Sequence, residues 1–503
     1  MGDPRSIVYW FPDKESQKCG YCKNVSGSVQ YGMWAQSLTV EDYQNLINRG
    51  WRRSGQYCYK PILDETCCPL YTIRCDALEF HLSKSQKKVI KKMNKFLKTG
   101  VLKESAEVDN SEENEGEEQG FLDNYKDCPK KAVDFTNITQ MEDDELKDQN
   151  DKIRDIDIKL NVVQNSESVN RIGSDSPKGD CSSPKAKAIK KGVGVDPNKP
   201  PCKKAKIMRR EKKLNKLGNS GNKIEQSSVN QQQQIKSLEQ FMEEVSADDK
   251  HKLTIKLIEP TNPNSEWKKY EQLEFELFRK YQNIIHNDPP HKNTSEGFIR
   301  FLVNTPLQRQ RPPGSLTCSD TPAYGSYHQQ YWLDQKLIAV GVIDILPNCV
   351  SAVYFFYDPD YRELTLGTFG ALKEIQLSRE LFPTLNTQYY YMGFYIHTCI
   401  KMRYKGNMTP SFLLCPETYI WFPIEKCLQK LDRTKYSRFN EEIQDIDVNA
   451  CSSQDLDDIK IVVGSRFTTY KRLKPFFNRD DVYGTIGKLI GKQCAKNMFF
   501  VEK

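Results

Sequence analysis

YGSYHQQYWLDQKLIAVGVIDIL, residues 324–346, is the stretch that decides the fold. Two extended runs, Tyr324–Leu333 and Lys336–Leu346, flank Asp334-Gln335, a two-residue turn between β-prone segments that reads as a hairpin. In Leu337–Leu346, and again in Ala352–Tyr357, residues of both parities are apolar, which predicts central strands covered on two faces. A glycine-containing loop, Asp360–Gly370, leads into a helix, Ala371–Leu381, and Tyr389–Ile396 reads as a fourth strand. Strand, loop and helix in this order gather backbone N–H groups at a helix N-terminus, a geometry that suits an anion or a phosphate. Upstream, Lys252–Ile258 reads as a strand. Trp267, Tyr270, Leu273, Leu277, Tyr281, Ile284 and Ile285 mark a helix that stops before Pro289-Pro290.

The N-terminal hundred residues predict a second folded part. Thr39 caps a helix whose apolar stripe is Val40, Tyr43, Leu46 and Ile47, with Gly50 at its end. Around it, Ile7–Phe11, Tyr31–Leu38, Gln56–Ile62 and Leu70–Phe80 read as strands. Ser83 or Ser85 caps another helix, with Val89, Ile90, Met93, Phe96 and Leu97 on one face and Gly100 as its stop. Seven lysines occupy the rest of it, among them Lys88, Lys91, Lys92 and Lys95. That surface is either an ordinary solvated face or a phosphate-tracking one, because crowded lysines repel one another without an anionic partner.

A chain of 503 residues allows about three domains. Hydrophobic residues at 38% and a mean hydropathy of −0.70 are too polar for one uniformly packed chain, while 11% aromatics are too many for a wholly disordered one. The division expected is a cysteine-rich α+β domain at 1–100, a disordered charged insert at 101–245, a mixed-sheet domain at 246–440 and a polar extension with a short helix near Gly484–Cys494 at 441–503. The insert passes from acidic blocks to a basic one, Lys203–Lys216, which suits nuclear import, an RNA-binding arm or a plain linker. No apolar run is long enough to span a membrane, and the first residues lack a secretory signal. Sixteen cysteines then point to a reducing compartment, with thiols free or bound to metal. No H-E-x-x-H, G-x-S-x-G or P-loop pattern is present, so hydrolase and kinase chemistry has no support.

Three groups of residues are candidates for chemistry. Cys19-x2-Cys22 with Cys67-Cys68 makes a four-sulfur set. Adjacent cysteines are unusual for structural zinc and acceptable for an iron–sulfur cluster, and Cys58 and Cys75 are close enough in sequence to substitute. Asp344 is the one charge in an apolar run, either a hydrogen-bonded structural group or a site residue. Asp358 and Asp360 stand at a strand's C-terminal end, as turn formers or as pocket residues.

Taken together, the motifs resemble the eukaryotic arginyl-tRNA–protein transferase family. The cysteine knuckle, Gly32-Met33-Trp34 and Gly50-Trp51-Arg52-Arg53-Ser54-Gly55 carry the likeness at the N-terminus. Further on it is carried by Lys280-Tyr281-Gln282, Ile285-His286, Phe298–Leu307, residues 324–334, Gly341–Pro347, Tyr357-Asp358-Pro359, Tyr389–His397, Lys405-Gly406 and Leu414–Tyr419. The resemblance implies an acetyltransferase-like (GNAT-like) catalytic part with arginyl-tRNA in place of acyl-CoA. It also implies transfer of arginine to the N-terminal amine of proteins beginning with Asp or Glu, which marks them for ubiquitin-dependent degradation. Cys19, Cys22, Cys67 and Cys68 match the family's iron–sulfur ligands, with zinc as the alternative. One departure is Arg362-Glu363, in a loop that the family usually keeps uncharged.

Under that resemblance, Asp344, Asp358 and Asp360 are candidates for the guanidinium or a proton. Lys401, Arg403 and Lys405 are candidates for the acceptor carboxylate or the tRNA backbone, and Lys88, Lys91, Lys92 and Lys95 for tRNA(Arg). A monomer in the cytoplasm, and through its basic block in the nucleus, is expected. The rival readings are an acyl-CoA N-acetyltransferase and a non-catalytic RNA- or protein-binding adaptor.

Overall fold

The computed structural model describes residues 4–102, 138–141, 236–243, 249–312 and 321–502. In chain order its strands are β1 (Ile7–Trp10), β2 (Glu15–Gln17), β3 (Ser28–Ser37), β4 (Arg52–Ser54), β5 (Tyr57–Pro61), β6 (Tyr71–Asp76), β7 (Thr139–Gln140) and β8 (Leu253–Ile258). They continue as β9 (Gly325–Leu333), β10 (Lys336–Leu346), β11 (Cys349–Tyr357), β12 (Tyr389–Tyr395), β13 (Ser411–Leu414), β14 (Trp421–Pro423), β15 (Lys460–Val463), β16 (Arg466–Thr469) and β17 (Phe499–Val501). The first sheet runs β4-β5-β3-β1-β17-β15-β16-β7, with β2 beside β3, and the second runs β14-β13-β6-β12-β11-β10-β9-β8. The result is an α+β fold with two mixed sheets.

The hairpin β9–β10 turns at Asp334, whose φ of +55° is the left-handed conformation that a tight hairpin turn demands. β10 and β11 lie inside the second sheet and are flanked by strands on both edges, as their apolar parities predict. Helix Val40–Ile47 packs on β10, and helices Glu271–Ile285 and Leu366–Leu385 pack on β10 and β11. The N-caps Thr39 and Ser83 form as read, the latter within a full capping box, and Gly100 ends its helix at φ +66°.

Each sheet draws on both ends of the chain. β17 lies between β1 and β15 and runs parallel to both. β6, from the N-terminal hundred residues, lies between β12 and β13 and is antiparallel to both. Segments 1–100, 246–440 and 441–503 therefore share backbone ladders instead of closing separate cores. The polar extension expected after residue 440 holds three strands, because Ile461, Val462, Phe499 and Phe500 bury their side chains in the first sheet. Its last helical stretch, Asp480–Asn497, is longer than expected and is broken by a kink at Gly491, where φ is +77°.

Two pieces of segment 101–245 are ordered parts of the core: Ile138 and Met141 flank β7, and Leu238, Phe241 and Met242 sit in a short helix against helix Lys84–Thr99. The acidic and basic blocks of the insert, Lys203–Lys216 included, lie outside the described residues. The expected loop Asp360–Gly370 is also different. A 3-10 turn, Pro359–Leu364, is followed at once by helix Leu366–Leu385, which absorbs Gly367 and Gly370. The helix extends because Leu366 and Phe369 are needed in the core, and Gly370 is small because the Phe355 ring occupies the space a Cβ would take. Glu363, the unusual charge in this turn, reaches Lys92 of the lysine-rich helix at 3.6 Å.

Asp344 explains itself in this architecture. Its carboxylate receives Arg53 Nε at 2.8 Å and Arg53 Nη2 at 2.6 Å, and Ser326 Oγ donates to it at 2.7 Å. The side chains of Asp344 and Arg53 are 0% and 1% exposed, so the pair bolts β4 of the first sheet to β10 of the second. Removing one partner leaves the other as an unpaired buried charge. Asp344→Asn and Arg53→Met should each lower the unfolding free energy by ~3–5 kcal/mol in urea titrations, whereas Lys268→Ala in an exposed pair should cost below about 1 kcal/mol.

Candidate functional site

β11 and β12 form the one parallel pair of the second sheet among the described residues, and they pair for only three positions, Cys349–Ser351 with Tyr389–Tyr391. Beyond them the strands part. β12 keeps its ladder with β6 through a register shift between Tyr391 and Phe394, and Gly393 takes a φ of +68° there. The gap opens into a cavity of about 120 Å³ floored by helix Leu366–Leu385 and lined by Tyr281, His286, Tyr354, Glu374, Tyr390 and Lys405, among others. A crevice at the C-terminal ends of parallel strands is where open α/β sheets ordinarily bind their ligands.

Charges of both signs reach this cavity. Glu374 is 2% exposed and accepts a hydrogen bond from Tyr390 Oη at 2.5 Å. Burial, and then the adjacent Glu374 charge, pushes the Tyr390 phenol well above its ordinary value, so it stays a donor. Room for the carboxylate comes from Gly341 on β10, where a Cβ would sit 2.7 Å from Glu374 Oε1. Lys405, also in the lining, donates through Nζ to the Phe394 carbonyl at 3.1 Å, and Arg52, outside the lining, donates through Nη2 to the Gly393 carbonyl at 3.2 Å. Tyr354 Oη accepts from Gln282 Nε2 at 2.8 Å and lies 3.5 Å from His286 Nε2.

Of the candidate catalytic and binding residues read from sequence, only Lys405 lines the cavity, alongside Tyr281, His286 and Tyr390 from the stretches that carry the resemblance. Asp344 is in the ion pair beneath the sheet. Asp358 caps the 3-10 turn and is clasped by Lys280 at 2.5 Å and Lys336 at 2.7 Å, and Lys280 also meets Asp360 at 2.7 Å. Burial pushes the Asp358 carboxyl up, but the hydrogen bonds from Lys280, Lys336 and the Asp360 backbone prevail and hold it below the ordinary value. This is a structural clasp at the end of β11. Lys401 and Arg403 stand exposed on the short helix Ile400–Arg403 beside the cavity, with Arg403 Nε on the His397 carbonyl at 2.7 Å. Lys88, Lys91 and Lys95 are exposed and have no ion-pair partner among the described residues. Glu374, His286, Tyr354 and Tyr390 went unassigned in the sequence. The signal that marked Asp344, a lone charge in an apolar run, does not mark Glu374, which follows Lys373 in sequence and is buried only because its side of the helix packs inward.

The cysteines do converge. The Sγ atoms of Cys19, Cys22, Cys67 and Cys68 all lie within 4.8 Å of one another. Gly27 leaves the space that Cys67 Sγ fills, since a Cβ there would approach it to 2.4 Å. The Asn24 backbone N–H, then Cys67, lowers the Cys22 thiol to about 7, whereas burial raises Cys68 to about 11. Such a set, one readily ionised thiol among close neighbours, suits a thiophilic metal. Cys58 and Cys75 are buried elsewhere and are not part of it. Cys19 and Cys68 pack in one cluster with Phe394, Ile396 and Met402, so the four-cysteine group backs directly onto the end of β12 and one wall of the cavity.

Comparison with known proteins follows the same two blocks. Residues 17–88 match the family model for the N terminus of arginine-tRNA-protein transferase, and residues 273–415 match the one for its C terminus. Arginyl-tRNA–protein transferase 1 of Drosophila melanogaster is 41% identical over 99% of both chains, and transferase 2 of Arabidopsis thaliana is 33% identical over 84% of this chain and 76% of its own. An aspartate/glutamate leucyltransferase of Campylobacter jejuni is 36% identical over 88 residues, 18% of this chain and 35% of its own. Two family domains in order, and likeness along the full length, make this chain a member of the arginyl-tRNA–protein transferase family, enzymes that move arginine from its tRNA onto proteins.

Proposed function

We propose that the cavity between β11 and β12 joins the arginyl ester of tRNA to the N-terminal amine of acceptors beginning with Asp or Glu. The observation that carries this reading is one cavity with a carboxylate, Glu374, and an ammonium, Lys405, at its walls. The carboxylate suits the arginine guanidinium and the ammonium suits the acceptor's acidic side chain. The Campylobacter relative, named for aspartate and glutamate but for a leucyl group, supports the acceptor half: what the two proteins share is then the acceptor and the ester chemistry, not the transferred side chain.

The chemistry asks little beyond placement. The neutral α-amine attacks the ester carbonyl, a C–N bond forms, the C–O bond to the terminal ribose breaks, and the amine's proton passes to the departing hydroxyl. A free α-amine with a pKa of about 7.7–8.0 is already partly neutral, so orientation and oxyanion stabilisation do most of the work. Tyr354, fixed by Gln282 and beside His286, is the group we assign to the oxyanion and the proton. The arginine added then serves as a degradation signal read by ubiquitin ligases, in the cytoplasm and nucleus, by a monomeric enzyme. Labelled arginine should pass from arginyl-tRNA to a peptide starting with Asp and not to one starting with Ala; equal labelling of both would overturn the acceptor assignment.

Glu374→Gln should lower kcat/KM for arginyl-tRNA by roughly ten- to a hundredfold, the worth of one charge-assisted hydrogen bond. Lys405→Ala should instead raise KM for the acidic acceptor and leave tRNA binding unchanged. The lysine-rich helix is read as a tRNA phosphate track. Replacing Lys88, Lys91, Lys92 and Lys95 by Ala should weaken tRNA binding and flatten its salt dependence by a slope of about 0.7–0.9 per lost contact. Unchanged affinity and slope across an ionic-strength series would return these lysines to an ordinary solvated face.

The four cysteines are read as holding a single tetrahedral ion, zinc. Thiolates sharing one ion at about 2.3 Å lie roughly 3.8 Å apart, within the observed envelope, whereas an iron–sulfur cluster spreads them over separate irons. When bound, the ion supplies a structural cross-link between the knuckle and the Cys67-Cys68 loop. Elemental analysis should find one zinc per chain without labile sulfide. Cys67→Ser should release it and lower the melting temperature, while Cys58→Ser should retain it; iron with sulfide in anaerobically prepared protein would overturn the zinc reading.

A further inference from the structure

Three β-branched side chains stand in solvent within six residues: Ile443 is 85% exposed, Ile446 74% and Val448 80%. Single exposed aliphatics are ordinary, but three so close together form an apolar patch that water penalises. The segment carrying them is held in place. Arg438 Nη2 donates to the carbonyls of Glu442 at 2.9 Å and Asp445 at 2.7 Å, and its Nε donates to that of Asn440 at 3.2 Å. Asn440 Nδ2 donates to Asp445 Oδ2 at 2.9 Å. At the far end, Arg49, 3% exposed, grips both oxygens of Asp447 at 3.1 and 2.7 Å. A backbone anchored at both ends therefore displays aliphatic side chains that gain nothing from folding. Pre-ordering of this kind lowers the entropy cost of a later binding event.

The charges around the patch say what covers it. Glu441, Glu442 and Asp445 are exposed beside the three aliphatics. An acidic rim repels nucleic acid and anionic lipid surfaces, and a second copy would bring the same acids against it. We propose that residues 440–449 are a docking loop for a partner protein that offers an apolar groove bordered by lysine and arginine. The loop stands apart from the transfer reading, because none of Ile443, Ile446 and Val448 lines the β11–β12 cavity.

The test uses the full chain and a random peptide library displayed on phage. Selected peptides should carry Lys or Arg on both sides of aliphatic or aromatic residues, and their binding should weaken as salt rises from about 50 to 500 mM. Two variants probe the two halves of the surface: Ile443→Ser with Ile446→Ser and Val448→Ser, and Glu441→Lys with Glu442→Lys. Each should reduce peptide affinity by about tenfold or more, with melting temperature and arginyl transfer unchanged. Selection of no basic–apolar consensus, or peptides that bind both variants as well as the parent, would overturn the proposal. So would self-association in sedimentation that the serine variant abolishes, since the surface would then belong to a second copy.

Discussion

A parallel strand can leave its neighbour only if its other edge is satisfied, and the whole second sheet depends on that constraint. β12 abandons β11 after three pairs because β6, borrowed from the N-terminal hundred residues, holds its opposite edge. Without β6 the parted end of β12 would expose unpaired backbone donors and acceptors, which folded proteins rarely tolerate in buried places. The cavity is therefore a joint product of both ends of the chain. The first sheet repays the arrangement, taking β15, β16 and β17 from the C-terminal end to complete itself.

Two buried carboxylates at β10 show how context separates structure from chemistry. Asp344 on the strand has both oxygens occupied by Arg53, one of them shared with Ser326, and is sealed between the sheets. Glu374 lies over the same strand at Gly341, keeps Tyr390 as a donor and borders the cavity. One is a bolt and the other borders an open cavity. The difference is set by what stands next to each buried group in space.

The cysteine site and the cavity share a wall. Phe394 and Met402 belong to the cluster around Cys19 and Cys68, while Gly393, Met402 and Lys405 border the cavity. Lys405 takes its place by donating to the carbonyl of Phe394, so order at the cysteines and the position of the cavity's cation are physically continuous. A densely packed wall transmits small displacements, because interior side chains have few voids in which to absorb them.

Local chemistry determined much of this protein from sequence alone. The caps at Thr39 and Ser83, the stop at Gly100, the hairpin at Asp334 and the central placement of β10 and β11 all follow from periodicity, turn conformation and capping, which act within a few residues, whereas β11 is half-open at Ala352–Phe355, where it lines the cavity. The cysteine set was legible because thiols at that spacing have few other uses. The loop at Asp360–Gly370 was misread because Gly367 and Gly370 look like loop residues until Phe355, brought in by tertiary packing, needs the space over Gly370. The partners of Asp344 and Asp358 were likewise out of reach: Arg53 is 291 residues from the first, and Lys280 is 78 from the second. Which acid is buried as a bolt, which one lines a cavity, and that β6 and β17 cross between the two halves were decided only by the tertiary structure. Pairing between distant strands depends on the free energy of the whole assembled sheet, and no short window of sequence contains it.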